Sequence, residues 1–95
     1  MQGRRIPDDE FFDRRSAGTL APGDYGVMVN DETGQRHWLV RCPDGFETQL
    51  WVNEDDSKGN RHLIHEHDDD TVTVEGSILG RTFHGHLRRG VWVPC

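Results

Sequence analysis

The chain has few of the features that mark a membrane protein or a disulfide-rich secreted domain. Its 95 residues include only two cysteines, Cys42 and Cys95, which are too few for a disulfide framework. No apolar run approaches the ~18 residues of a membrane helix, and no secretory signal sequence follows Met1. These absences predict a soluble protein of a reducing cytoplasm, with both thiols free and no membrane partner.

Positive charge and apolar residues are also scarce. The chain carries 11 Lys and Arg against 17 Asp and Glu, a formal net charge of −6, and 33% of its residues are hydrophobic. Binding to phosphates requires a basic stripe, so this balance argues against a nucleic-acid partner. A chain of this length forms one small domain, which buries only roughly two-thirds of its unfolded surface. A partner subunit or a metal ion would therefore add stability.

Short alternating segments separated by turn residues make up most of the sequence after residue 24. Strands are predicted over residues 25–29, 37–42, 46–52, 62–67, 71–74, 81–87 and 91–93, with a polar loop over 53–60. This spacing predicts an all-β domain over residues 24–95, a small antiparallel sandwich or barrel. Its expected core is Val27, Val29, Leu39, Leu50, Val52, Val72, Val74, Ile78, Phe83, Leu87 and Val91.

Residues 1–23 form a predicted N-terminal arm that carries a short helix. Acids at 8–10 and arginines at 14–15 suit about two helical turns, with Pro7 at the entry and Gly18 at the end. Phe11 and Phe12 are candidate binding residues, because they must dock on the domain's own core or on a neighbouring molecule. Docking on a neighbour would give a homo-oligomer or a larger assembly.

The histidines are concentrated in two His-x-His pairs. His65 and His67 lie on one predicted strand and His84 and His86 on another, and side chains two apart on a strand share a face. If the two strands pair, the four imidazoles are candidate ligands for zinc. Substitute ligands would be Asp68, Asp70 or Cys42. The alternative is a set of solvent-facing or half-buried imidazoles that hydrogen-bond to neighbouring acids.

The sequence contains no assembled catalytic set. Ser77 lies in Gly-Ser-Ile-Leu-Gly (76–80), which lacks the Gly-x-Ser-x-Gly spacing of a nucleophile elbow. The acidic run 68–70 lacks the alternating spacing of a calcium loop. A non-enzymatic role is therefore expected, and the rival hypothesis is a metal-binding module or metal-dependent hydrolase that uses the two His-x-His pairs.

The region 36–93 resembles a family of short uncharacterised proteins common in actinobacterial phages. That family has a threonine, then Pro-Ser-Ile, then an aromatic residue or cysteine before His-Gly and a glycine-containing hairpin. The matching positions are Thr71 or Thr73, Ser77, Ile78, His84, Gly85 and Gly90, with Gly76 and Phe83 as departures. The resemblance implies a phage origin and an accessory role.

These expectations combine into one functional hypothesis. The protein is expected to bind another protein, either a copy of itself or a phage or host protein, as a small virion component or a host-directed factor. It would act in the host cytoplasm, and it could be incorporated in the virion. Ser77 and His84 join Phe11 and Phe12 as candidate binding residues. His84 is expected to be partly buried and hydrogen-bonded, which would tie segment 71–78 to strand 81–87.

Overall fold

Nine short strands and one helix form the regular structure of the part of the chain described here. The structure is a computed structural model, which describes residues 1–29, 32–50 and 62–95. The elements are β1 Arg4–Arg5, α1 Asp8–Ala17, β2 Asp24–Val29, β3 Arg36–Arg41, β4 Glu47–Leu50, β5 Leu63–Glu66, β6 Val72–Glu75, β7 Ile78–Leu79, β8 His84–Arg88 and β9 Val91–Pro94. The prediction of a small all-β fold with a short N-terminal helix is confirmed. The predictions for Val52 and the loop 53–60 lie outside the described residues.

The strands form three sheets. The first has the order β1-β2-β3-β4, in which β1 and β2 are parallel and the other pairs antiparallel. The hairpin of β5 and β6 forms the second sheet, and β7, β8 and β9 form an antiparallel third sheet. The predicted helix is also present and ends at Gly18, which adopts a left-handed conformation with φ 70°.

The main core lies between the four-stranded sheet and the strands that follow it. Side chains from β2, β3 and β4 meet side chains from β6, β7, β8 and β9 in one buried cluster. Its members are Tyr25, Val27, Trp38, Val40, Cys42, Leu50, Val72, Val74, Ile78, Leu87 and Trp92. The opposite face of the four-stranded sheet is covered by α1.

The second hydrophobic cluster forms under the helix. Phe11 is 1% exposed and packs with Ile6 and Leu20. Its ring lies directly over Gly26 of β2, where any side chain would overlap it. Met28 and Leu39 pack against this cluster from the sheet. The four-stranded sheet is therefore covered on both faces, which explains the continuous apolar run 38–40 in β3.

Three predicted core residues lie elsewhere. Val29 and Val91 are exposed, and Leu39 packs under the helix and not in the main core. Adjacent strand residues point to opposite faces, so burial of Trp38 and Trp92 in the main core turns Leu39 and Val91 away from it. Because tryptophan side chains are larger, their burial removes more apolar area from water, and they occupy the main core in place of these aliphatic neighbours.

Residues 1–23, predicted as an arm, hydrogen-bond to two of the sheets. The Gly3 N–H donates to the Gly90 carbonyl at 2.7 Å, beside β9, and the Ile6 N–H donates to the Tyr25 carbonyl of β2 at 2.9 Å. At this junction the Trp92 indole N–H donates to the Gly23 carbonyl at 2.9 Å. The first six residues thus connect the four-stranded sheet to the three-stranded sheet.

Gly3 allows this close approach of three chain segments. A Cβ atom at this position would lie 2.8 Å from the Gly90 carbonyl oxygen and 2.9 Å from that of Gly23. Both neighbours are backbone atoms, which cannot move without breaking the hydrogen bonds around them. The junction therefore requires glycine at position 3.

We expect the two adjacent phenylalanines of α1 to differ sharply in their effect on stability. Phe11→Ala removes a fully buried ring and should lower the free energy of unfolding by about 3–5 kcal/mol. Phe12→Ala, at a position 60% exposed, should change it by less than about 0.5 kcal/mol. Urea unfolding followed by circular dichroism measures both, and equal losses for the two variants would contradict the described packing of α1.

Candidate functional site

The two predicted binding residues of the helix differ in accessibility. Phe11 packs in the domain's own second cluster and is therefore not available to a partner. Docking on the domain itself was one of the two possibilities expected for this pair. Phe12 points away from that cluster and is 60% exposed. Of the two, only Phe12 presents its ring to solvent.

The prediction that His84 is partly buried and hydrogen-bonded is wrong. The residue is exposed, and its ring makes no hydrogen bond within the described part of the chain. It lies on β8 directly opposite Leu79 of β7. Its neighbour Gly85 is buried and faces the core side, which turns the His84 side chain outward.

His84 was expected to tie segment 71–78 to the strand that follows, and hydrogen bonds from backbone N–H groups attach this segment instead. The Gly90 N–H donates to the Val72 carbonyl at 3.0 Å, and the Arg89 N–H donates to Thr73 Oγ1 at 3.0 Å. These bonds join β6 to the turn between β8 and β9. Ser77, the other candidate on this segment, is exposed, and its carbonyl lies 3.0 Å from His62 Nε2.

The first His-x-His pair has local polar partners. His65 Nε2 lies 3.1 Å from Glu75 Oε2, across the β5–β6 hairpin. His67 Nε2 lies 2.7 Å from Thr73 Oγ1. Both contacts agree with the alternative interpretation of the histidines, in which imidazoles bond to neighbouring polar groups.

The structure does not bring the four candidate metal ligands together. His65 lies on β5 and His67 directly after it, whereas His84 and His86 lie on β8, in a different sheet. Within residues 1–29, 32–50 and 62–95, no group of three His, Cys, Asp or Glu side chains could hold a metal ion. Of the substitute ligands, Cys42 is fully buried, and Asp70 Oδ1 lies 3.3 Å from Arg5 Nη1.

Several exposed or half-buried side chains of the three-stranded sheet lie together on the face that points away from the core, which we call the outer face. They are Leu79, His84, His86, Arg88, Val91 and Val93. The register places them in cross-strand pairs, Leu79 with His84, His86 with Val93 and Arg88 with Val91. Paired residues share a face, so the six side chains form one surface.

The composition of the outer face differs from that of the chain as a whole. Three of its six residues are aliphatic, two are histidines, one is an arginine and none is acidic. Leu79 is 62% exposed, which makes it the most exposed of the large hydrophobic residues described. Apolar side chains without covering neighbours, accompanied by arginine, are typical of protein-binding surfaces.

A carboxylate beside this surface joins two of the sheets. Asp44, in the turn between β3 and β4, accepts N–H bonds from Thr82 at 2.7 Å and from Phe83 at 3.1 Å through Oδ2. Its Oδ1 accepts the N–H of Phe46 at 3.0 Å. These backbone donors lower the pKa of Asp44 from 3.8 to about 2, the bond from Thr82 first among them. The turn that leads into β8 is thereby fixed to the four-stranded sheet.

Local sequence gives only part of this role of Asp44. The Pro-Asp-Gly run at 43–45 predicts a turn, and an aspartate there commonly bonds to backbone two residues on, as it does with Phe46. The partners Thr82 and Phe83 lie almost forty residues away in sequence. Nothing in the local pattern indicates them.

The two thiols differ in environment. Cys42 is fully buried in the main core, where burial and then the charge of Asp44 raise its pKa to about 11. Cys95 is exposed, and neither thiol is in a disulfide. Cys42 therefore remains a protonated, apolar core side chain at neutral pH.

Comparisons with known proteins return no relative. No protein-family model matches the chain, and neither the curated proteins nor the solved structures contain a match. The described residues include no helix long and apolar enough to cross a membrane.

We expect Asp44→Asn to destabilise the protein in a pH-dependent way. A carboxyl group whose pKa is lowered by folding stabilises the fold above its unfolded pKa of 3.8, and this contribution disappears as pH falls to about 2. The melting temperature of Asp44→Asn should therefore lie below that of the wild type at neutral pH, and the difference should shrink over this range. Asp68→Asn, an exposed turn residue, is the control, and a difference independent of pH would contradict the assignment.

The thiols should react at very different rates. In the folded protein, iodoacetamide should label Cys95 and leave Cys42 unmodified, because the latter is buried and protonated. Mass spectrometry of tryptic peptides measures both sites, and Cys95→Ser should then show label only after unfolding in guanidinium. Labelling of Cys42 at the rate of Cys95 would show that the core opens readily.

Proposed function

We propose that the protein is a non-enzymatic binding module that docks a partner protein on the outer face of the three-stranded sheet. The observation that carries the proposal is the exposure of Leu79 opposite His84, on a surface with two valines and no acid. In this proposal Leu79 is the apolar anchor. His84 and Arg88 supply polar contacts around it.

The rigidity of this surface supports the proposal. Asp44 fixes the turn before β8, and the bonds from Arg89 and Gly90 fix the turn after it. A binding surface that is already ordered loses less conformational entropy when a partner docks. The outer face therefore meets a partner at a lower entropic cost than a flexible loop would.

The resemblance noted in the sequence supports a phage setting. Of the matching residues, Ile78 and Gly85 are buried, and their side-chain sizes are explained by packing. A Cβ atom on Gly85 would overlap the Val93 carbonyl oxygen and lie 2.5 Å from the Phe83 ring. Ser77 and His84 are exposed and have no such explanation. We therefore assign His84 to partner binding, in a phage accessory protein of the virion or of host takeover.

The proposal predicts that Leu79→Gln and His84→Ala lose the partner and keep the fold. Both side chains are exposed, so each variant should melt within about 2 °C of the wild type. Tagged wild-type protein and each variant are used to capture proteins from an actinobacterial lysate, followed by quantitative mass spectrometry. At least one protein should be enriched by the wild type and lost from both variants, and the purified protein should bind directly.

Leu63→Gln is the matched control, because it makes the same substitution at an exposed leucine of a different sheet. It should retain the partner. Light scattering over a range of concentrations tests whether the partner is a second copy, since self-association would then be lost in Leu79→Gln. A partner retained equally by Leu79→Gln and Leu63→Gln would refute the assignment of the outer face.

A further inference from the structure

An open cleft of about 600 Å³ lies between the turn at 43–45 and the start of the segment that leads into β8. Its lining residues are Arg41, Asp44, Gly45, Phe46, Glu47 and Arg81. Of these residues, Arg81 lies two positions after Leu79 in the sequence. None of these residues has a role in the main core.

The two carboxylates of the cleft are already bonded to protein groups. Asp44 accepts the backbone N–H groups of Phe46, Thr82 and Phe83. Glu47 Oε1 accepts a hydrogen bond from Arg15 Nε at 2.8 Å. Glu47 is therefore paired with a cation from outside the cleft, whereas Asp44 stays ionised with its oxygens occupied by backbone donors.

The two arginines of the cleft, in contrast to Glu47, have no side-chain partner of opposite charge among the described residues. In the described part of the chain, neither Arg41 nor Arg81 has a carboxylate within ion-pairing distance, although six other arginines do. The Nε atom of Arg41 is buried and has no hydrogen-bond partner. Because this Nε atom is closed to solvent, a ligand oxygen in the cleft would be held by the terminal guanidinium nitrogens of Arg41.

Phe46 adds an apolar component. Its side chain is 38% exposed, and the Arg81 guanidinium lies 5.8 Å from the centre of its ring. This contact holds Arg81 over the ring while the edge of its guanidinium remains available to an acceptor. The site therefore combines two cationic donors with an aromatic surface.

The charge of the whole chain narrows the class of ligand. A net charge of −6 repels polyanions such as nucleic acids over long distances. A single carboxylate next to an apolar group meets less of this repulsion and matches both components of the cleft. Arginine pairs with carboxylate oxygens in a bidentate, directional geometry.

We propose that this cleft binds a carboxylate side chain of the partner polypeptide, held by Arg41 and Arg81, with an adjacent apolar side chain of the same segment against Phe46. The inference rests on the proposed protein-binding function and specifies the chemistry of the partner. The partner segment would thus carry an aspartate or glutamate beside an apolar residue.

Two short peptides test the proposal directly. Full-length ¹⁵N-labelled protein is titrated with acetyl-Leu-Glu-Leu-amide and, separately, with acetyl-Leu-Gln-Leu-amide, and amide chemical shifts are followed by NMR. The Glu peptide should shift the amides of residues 44–47 and 81–83, and the Gln peptide should bind about tenfold or more weakly. Inorganic phosphate is titrated as a third ligand to detect a site that accepts any small anion.

Arg41→Gln and Arg81→Gln should each weaken binding of the Glu peptide about tenfold or more, in variants that circular dichroism shows to be folded. Arg36→Gln is the matched control, because it removes the same charge at the opposite end of β3 and should bind like the wild type. Added salt should weaken binding to the wild type, since the attraction is electrostatic.

Three results would overturn the proposal: equal binding of the Glu and Gln peptides, phosphate binding as tight as that of the Glu peptide, or no shift at millimolar peptide.

The capture experiment with the outer-face variants distinguishes failure of this inference from failure of the function on which it rests. If that partner is lost from Leu79→Gln but retained by Arg41→Gln and Arg81→Gln, the cleft assignment fails and the binding function stands. If the Glu peptide binds while Leu79→Gln retains every captured protein, the outer-face function fails and the cleft stands.

Discussion

The first six residues hold the sheets of this small domain together. Gly3 lies where backbone from β9 and from the start of β2 meet, at a spacing that leaves no room for a Cβ atom. Arg5 then reaches the second sheet, since its guanidinium lies 5.0 Å from the Trp38 ring centre and 3.1 Å from Glu66 at the end of β5. Its side chain is only 12% exposed. Removal of residues 1–23 would therefore damage the core, and such a truncation could not isolate any binding role of Phe12.

The outer face depends on this arrangement for its shape. β9 is held at one side by the N-terminal residues, and the turn before β8 is held at the other by Asp44. The strands between these two attachments are therefore held in place at both sides. The same carboxylate also forms one wall of the arginine cleft, so a single residue positions both proposed contact regions.

Local sequence patterns predicted the helix and the longer strands, because alternation and turn residues are determined by nearby positions, but they missed the two-residue strands β1 and β7. They failed where a strand is covered on both faces, as at Leu39, and where a larger neighbour takes the buried position, as Trp92 does from Val91. The candidate site was less predictable. The carboxylate of Asp44 and the exposure of His84 depend on contacts between segments distant in sequence, and His-x-His spacing says nothing about whether two strands pair.

The alternation along β8 has an evolutionary consequence. Gly85 and Leu87 are constrained by packing, whereas His84 and His86, each one position away, face outward. Under the proposed function, selection on the fold and selection on the partner therefore act on alternate codons of the same strand. A lineage that meets a new partner can change its outward residues one at a time while the inward ones stay fixed, so recognition can diverge quickly on an unchanged scaffold.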